Sequence, residues 1–479
     1  MSGAGKSLLT AGLCRIFREE GYRTAPFKSQ NMALNSFITK DGYEMGRAQA
    51  VQAEAAGTEP SVYMNPILLK PTTDMGSQVI VMGRPVGNME AREYFRKKKS
   101  YLPVIRSAYE KLASENDVIV IEGAGSPAEI NLKSEDIVNM GIAAMTGAPV
   151  LIAGDIDRGG VFAQLYGTVA LLAEEERERV AGLIINKFRG DPSLLDPGLT
   201  ELTRLTGKPV LGVVPYMNVH IEEEDSLAPL LQGGIGGDGD EKLLDIAVIR
   251  FPRISNFTDF QVFYAEEDTA VRFVTDSASL GTPDAVILPG TKSTMEDLRW
   301  FRKSGLEEAV LEAVKRGSFL FGICGGYQML GERISDPYGT EGTGSVRGMC
   351  LLPYETVFSP EKVTRQWEGV TDFAIPELSG KRVKGYEVHM GRTERLPGTE
   401  SRDEEIPAAG TYLHGIFDEG EFRSAFLSYL ADRKKAERRE TASVSAAAYR
   451  EEQYRILSGT LRKHLDLDEV FRLCGLTKS

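Results

Sequence analysis

The chain is poor in cysteine and histidine and has no long hydrophobic run, and each shortage excludes a class of function. Only four cysteines occur in 479 residues: Cys14, Cys324, Cys350 and Cys474. They are too widely spaced for a disulfide framework or a zinc pattern. Basic residues number 56 against 69 acidic ones, a net charge of -13. That balance argues against a nucleic-acid or anionic-membrane surface as partner. No apolar run reaches the roughly 20 residues that span a bilayer, and the glycine-rich start lacks a signal-peptide layout. A reduced, cytoplasmic enzyme is the expected class. At this length, with 42% hydrophobic residues, one core is too few and two or three domains are expected.

What the chain does have is short apolar runs separated by helical stretches. Val118–Ile121, Val150–Ala153, Gly182–Ile185 and Val210–Val214 read as strands of a parallel sheet covered on both faces. Ile246–Ile249, Ala285–Leu288 and Phe319–Phe321 form a second such set. Between the sets lies Gln232–Asp240, the most glycine-dense stretch, which reads as a linker. The alternation predicts an α/β chain with two doubly wound units. The boundaries expected are 1–228 for the first unit, 229–243 for the linker, 244–425 for the second, and 426–479 for a charged helical tail.

The first unit carries nucleotide chemistry. Gly3-Ala4-Gly5-Lys6-Ser7 opens a helix. Backbone N–H groups there can cradle phosphates, Lys6 can reach the β/γ oxygens, and Ser7 can hold Mg²⁺. The bland alternative is a helix start that contains G-K-S by composition. The full G-x-x-x-x-G-K-[ST] pattern also needs an earlier glycine and a feeding strand, and this sequence starts too late for either. An upstream extension is expected to raise ATP affinity, and an unchanged affinity would refute that. Glu122 ends the strand Ile119–Ile121 beside glycines, a place suited to Mg²⁺ coordination; otherwise it is a turn acid in water. Asp155 and Asp157, with Arg158, end the next strand and either hold Mg²⁺ or an acyl phosphate or form a polar loop. Asn186, in Asn186-Lys187-Phe188-Arg189, either meets a purine edge or caps a turn.

The second unit carries a nucleophile. Phe321-Gly322-Ile323-Cys324-Gly325-Gly326-Tyr327-Gln328 puts a lone cysteine among glycines, after an apolar run and before a helical stretch. This is the layout of a strand-to-helix elbow, where side chains on the neighbours would clash, and the helix N-terminus favours negative charge on sulfur. A base is then needed within hydrogen-bond reach. Of the four histidines, His414 ranks slightly above His389, each following an apolar segment near a glycine. Either could instead be a hydrogen-bonded structural histidine. His464 lies in the charged tail and reads as solvated, and His220 reads as lying near the first site. The loop Pro289-Gly290-Thr291 could supply an oxyanion hole from backbone N–H groups.

The Cys324 segment, the Pro289-Gly290-Thr291 loop and His414 resemble a class I glutamine amidotransferase domain. The N-terminal half is similar to dethiobiotin-synthetase-like ATPases. The combination resembles the cobyric acid synthases, on Lys28–Ser36, Glu44–Ala50, Asn65–Pro71, Arg253–Asp259 and Gly385–Gly391. The resemblance runs from Gly3 to about Phe422. It implies a P-loop, mostly parallel sheet followed by an amidotransferase α/β domain. It also implies amidation of the b, d, e and g carboxylates of adenosylcobyrinic acid a,c-diamide in cobalamin biosynthesis, with ATP, Mg²⁺ and L-glutamine. It makes Cys324 the nucleophile and His414 the base, with Gly290 and Gly325 at the oxyanion. Gln30, Asn31, Asn35, Arg47 and Gln49 become candidates for the corrinoid rim, with a structured loop and helix as the plain alternative. Ordinary class I domains carry a glutamate two residues after the histidine, where this chain has Ile416. That departure fits the cobyric acid synthase branch and leaves the group that orients the imidazole unassigned. Two other readings are a cobyrinate a,c-diamide synthase-like amidotransferase, and a non-catalytic partner-binding P-loop protein. Lys28–Ser36 and Arg253–Asp259 argue against the first, and intact Cys324 and His414 against the second.

Overall fold

β-Branched and aliphatic residues in runs too short for a helix become parallel strands when both faces are covered. The computed structural model describes residues 3–72, 76–221, 234–235, 242–342, 344–397, 408–438 and 445–477. All seven expected strands are present, most lengthened by a residue or more. They fall into two compact units, but with other boundaries than the sequence suggests.

The nucleotide-binding unit comprises 1–32, 45–221 and 450–479. Thr24–Phe27 pairs in parallel with Val118–Ile121. Separately, Val180–Phe188 pairs in parallel with both Val150–Asp155 and Val210–Pro215. Val118–Glu122 and Val150–Ala153 line the two sides of a mostly apolar cavity of about 250 Å³, with Lys6 at its wall. A mixed sheet of Gln30–Met32, Ile67–Pro71, Gly76–Val81 and Arg84–Glu90 also belongs to this unit.

The tail is not a separate appendage. The helices Ala446–His464 and Leu467–Leu473 return to the nucleotide-binding unit from Arg450 onward. Phe471 packs on Phe17 with ring centroids 5.0 Å apart. Arg15 makes a two-pronged contact with Glu451 at 2.6 and 2.9 Å. His464 is half-buried rather than solvated, and its neighbour Leu465 bridges Gly212. The backbone N–H of His220 donates to Gln453 on the same tail.

The second unit comprises 33–44 and 222–449. Its five-stranded parallel sheet runs Thr269–Val274, Leu244–Ile249, Ala285–Leu288, Phe319–Ile323 and Ala408–Thr411. The three middle strands are almost wholly buried, as continuous apolar runs require. Phe321, Phe417, Phe422 and Phe426 interlock beneath the sheet. The helix Gly420–Lys434 belongs here, so the second unit runs past the expected boundary at 425. Most of the expected linker 229–243 lies outside the described residues, but Ile235 is fixed in this unit by pairing with Val271.

The excursion 33–44 leaves and re-enters the first unit's chain, yet packs as part of the second. Its strand Ser36–Ile38 carries Ile38 into a small cluster with Tyr386 and Val388. A buried ion pair joins Glu44 to Lys362, and Thr364 Oγ1 donates to the Gly42 carbonyl. Asn35, expected beside Gln30 and Asn31, is therefore placed in the other unit.

Candidate active site

The strand Phe319–Ile323 ends at Cys324, and the helix Gly325–Leu330 starts directly after it. Cys324 itself has φ 51° and ψ -107°, a conformation costly for a residue with a side chain. Such strain marks a nucleophile elbow. It is held because the turn has no room to relax: a Cβ on Gly326 would lie 1.9 Å from the Leu288 carbonyl oxygen. The Cys324 N–H is anchored to the Thr411 carbonyl at 2.8 Å. Its thiol, 7% exposed with the residue, is turned toward the Val388 carbonyl at 3.8 Å.

His414 lies three residues beyond the neighbouring strand, buried, and decides the choice between histidines. Its Nδ1 donates to Asp259 Oδ2 at 2.8 Å, and Asp259 Oδ1 accepts from the Gly415 N–H at 3.1 Å. Burial alone would lower the imidazole's pKa. The Asp259 carboxylate outweighs that, and Cys324 adds to it, so His414 is pushed up to about 10. His389 is engaged elsewhere, with its Nδ1 2.8 Å from the Gly391 carbonyl and its ring stacked on Tyr412 at 3.8 Å. Ile416 is a core residue with no part in the site.

Asp259 is the orienting group that the sequence left unassigned. It stands 155 positions before His414, inside the Arg253–Asp259 stretch, on a short helical segment, Phe257–Ala265. Its presence in that distinctive stretch was the only signal; nothing local to His414 points to it. The two expected oxyanion positions meet here. A Cβ on Gly290 would fall 2.8 Å from His414 Cε1, and one on Gly325 would fall 2.7 Å from Thr291 Cγ2. Asp297 ties the surrounding loops together, accepting from Thr291 Oγ1 and from the Arg253 N–H. Burial pushes its carboxyl up to about 6.

In the nucleotide-binding unit, Lys6, Ser7 and Glu122 come together as expected. Ser7 Oγ donates to Glu122 Oε1 at 2.8 Å, and Lys6 Nζ reaches the Gly125 carbonyl at 3.3 Å. Burial lowers the Lys6 pKa. Two partners went unread in the sequence: Lys28 donates to Glu122 Oε1 at 2.9 Å, and Gln52 to Oε2 at 2.6 Å. Burial would raise the Glu122 carboxyl, but the Lys28 charge and these hydrogen bonds hold it below its usual value.

Asn186 holds the glycine loop. It is buried, and its Nδ2 donates to the Ala4 carbonyl at 2.9 Å, clamping the glycine loop. Lys187 holds the same loop at the Gly3 carbonyl, 2.6 Å away, and pairs with Asp155 at 3.0 Å. Asp155 is thus committed to the loop's support, and Asp157 pairs with Arg189 at 3.3 Å. Gln30 accepts from Tyr94 Oη at 2.7 Å, and Asn31 donates to Gln49 at 2.9 Å. Arg47 is buried at the start of the helix that carries Gln49. Among the described residues no cluster of three or more His, Cys, Asp or Glu forms a metal site, and no helix is long and apolar enough to cross a membrane.

Comparison with known proteins finds two family models, one for each half of the chain. Residues 245–422 match the CobB/CobQ-like glutamine amidotransferase domain, and residues 1–229 match the CobQ/CobB/MinD/ParA nucleotide-binding domain. The chain is 53% identical to the cobyric acid synthase of Lachnoclostridium phytofermentans, over 99% of this chain and 97% of that protein. It is 52% identical to that of Ruminiclostridium cellulolyticum, over 99% and 95%. With the cobyric acid synthase of Yersinia enterocolitica the identity is 48%, over 98% and 96%. A nucleophile elbow with a carboxylate-held histidine, a phosphate loop with a buried glutamate, and identity sustained along whole chains lead to one conclusion: this chain belongs to the cobyric acid synthase family.

Proposed function

We propose that the chain amidates the b, d, e and g carboxylates of adenosylcobyrinic acid a,c-diamide, using ATP and drawing ammonia from L-glutamine. The observation that carries this reading is the Cys324–His414–Asp259 set, with His414 Nδ1 2.8 Å from Asp259 Oδ2, in a chain of this family.

The chemistry divides between the units. Cys324 gives its proton to His414 Nε2, and the sulfur attacks the glutamine carboxamide carbon. Backbone N–H groups about Gly290 and Gly325 receive the oxyanion. His414 protonates the leaving ammonia and then draws a proton from water to release glutamate. In the other unit, a corrinoid carboxylate attacks the γ-phosphorus of ATP and ADP leaves. The resulting acyl phosphate gives ammonia a good leaving group, which a bare carboxylate lacks. Lys6 and the loop N–H groups offset the gathering negative charge. The hydroxyl of Ser7 and the carboxylate of Glu122 are hard oxygen donors of the kind Mg²⁺ prefers. These two residues would hold it, and it would neutralise phosphate charge. Gln30, Asn31, Arg47 and Gln49 are the polar groups offered to the corrinoid in this unit. Asn35 sits in the amidotransferase unit instead.

The test is mass spectrometry of adenosylcobyrinic acid a,c-diamide incubated with the protein, ATP, Mg²⁺ and glutamine. Four amide-for-acid exchanges are expected, and an unchanged mass would refute the assignment. Cys324→Ala should abolish the glutamine-driven reaction and leave amidation by added ammonium salt intact. Equal loss of both would overturn the division of labour.

A further inference from the structure

A patch of positive charge stands out in this acidic chain. Between Arg84 and Arg106 the sequence holds seven basic residues and two acidic ones, while the whole carries a net charge of -13. The patch runs from the edge strand Arg84–Glu90 onto the helix Ala91–Lys97. Tyr94 is the buried residue of that helix, and its hydroxyl donates to Gln30 Oε1 at 2.7 Å. Arg92 and Arg96 are exposed, one turn apart on the same face. With Ala91 and the half-buried Phe95 they line a shallow depression. Lys98 Nζ stands 4.6 Å from the centre of the Phe95 ring.

Lys97 and Lys99 have carboxylate partners, Glu93 at 2.7 Å and Glu135 at 3.4 Å. Among the described residues Arg92 and Arg96 enter no ion pair. Like charges four positions apart on a helix repel, so folding gains nothing from placing two arginines there. An anion between them would remove the repulsion.

The depression is tied to the phosphate loop by consecutive residues. Gln30, which holds Tyr94, stands two positions from Lys28, which donates to Glu122 Oε1 at 2.9 Å. Glu122 accepts from Ser7 in turn, at 2.8 Å. Between them, Ser29 Oγ donates to the Ile137 carbonyl at 2.6 Å. Two residues of extended chain cover at most about 7 Å. All of these groups belong to the nucleotide-binding unit.

Only one corrinoid carboxylate at a time can meet the γ-phosphate of ATP. The others stay ionised on the rim of a flat macrocycle and need cationic partners. We propose that Arg92 and Arg96 bind the corrinoid carboxylates not engaged with ATP, with the Phe95 ring against the edge of the macrocycle. Each guanidinium offers a planar fork that grips a carboxylate at two points. ATP is served separately, by Lys6 and the loop N–H groups. The inference rests on the corrinoid being the substrate.

The experiment measures amidation by the full chain with ammonium salt as the nitrogen source, so that glutamine hydrolysis plays no part. Arg92→Ala and Arg96→Ala should each raise the KM for adenosylcobyrinic acid a,c-diamide about tenfold, the factor for one hydrogen bond to a charged group. The KM for ATP should stay unchanged. Arg96→Lys keeps the charge and loses the fork, so its KM should fall between those of Arg96→Ala and the native protein. Added salt should narrow the gap between native and double variant. Lys111→Ala removes the same charge from another helix, Leu102–Glu115, and should leave the corrinoid KM alone. The subsite is refuted if the double variant keeps the native corrinoid KM, if its KM for ATP rises equally, or if Lys111→Ala has the same effect. A native protein that amidates no corrinoid overturns the functional reading and the subsite with it. Native amidation beside an indifferent double variant overturns the subsite alone.

Discussion

Replacing Asp259 by asparagine tests the triad most directly. The substitution keeps the side chain's size, and its carbonyl oxygen can still accept the Gly415 N–H, 3.1 Å away in the native protein. Its NH₂, however, would face His414 Nδ1, where the carboxylate now sits at 2.8 Å. A donor there demands a lone pair on Nδ1, so the ring's proton moves to Nε2 and the base is lost. The same carboxylate is what outweighs burial and lifts the imidazole from 6.5 to about 10. Each unit lost from that shift is worth about 1.4 kcal/mol between the two protonation states. The equivalent change in a serine protease triad lowers kcat about 10⁴-fold. For Asp259→Asn a loss of about 10³ to 10⁴ in glutamine-dependent kcat is expected on the same grounds, with KM little changed. Ammonia-driven amidation should be untouched. Stability gives an independent readout. His414 has a raised folded pKa, so its contribution is complete below about 6.5 and is lost as pH rises through about 10. Chemical denaturation of the native protein across that window should show a decline that Asp259→Asn flattens. A folded variant that loses less than about tenfold in glutamine turnover, against the expected factor, would refute the triad.

Three further outcomes follow from packing and charge. Lys28→Met strands the Glu122 carboxylate, whose side chain is 2% exposed, and should cost about 3–5 kcal/mol in urea unfolding; a cost under about 1 kcal/mol would mean that the pair is not truly desolvated. Gly326→Ala places a Cβ 1.9 Å from the Leu288 carbonyl oxygen, so the elbow must open, and glutaminase activity should vanish while ATP binding survives; retained activity would contradict the elbow's geometry. Asp297, with its carboxyl raised to about 6 from 3.8, contributes stability that is complete below about 3.8 and lost as pH rises through about 6. Asp297→Asn should remove that slope from urea midpoints measured between pH 4 and 7, and a slope left unchanged would mean another group titrates there.

How far the sequence could be read depends on how local each signal was. The strands Val118–Ile121 and Ala285–Leu288 were legible to the residue, because a fully buried parallel strand is an unbroken apolar run between turn residues. The long hairpin of Tyr354–Val370 and Arg382–Arg395 was not, since its exposed charges and half-buried residues dilute any alternation. The elbow at Cys324 was legible because its glycines answer steric demands from adjacent residues and from one neighbouring strand. The hold of Asn186 on the glycine loop was not legible: its spacing in the chain carries no information about Ala4, 182 positions away.

Residue order alone was enough to expect two α/β units, a phosphate loop with Lys6, Ser7 and Glu122, a nucleophile at Cys324 and a preference for His414. All of these rest on periodicity, on turn sterics or on side-chain chemistry, which act over a few residues. What lies across long separations was settled by the folded chain. Folding set Asp259 on His414, set Lys28 and Gln52 on Glu122, returned 450–479 to the nucleotide-binding unit and placed 33–44 in the amidotransferase unit. Such pairings are fixed by burial and by the need of each buried polar group for a partner. Those demands are met wherever the fold brings a donor and an acceptor together, and no local pattern records where that will be.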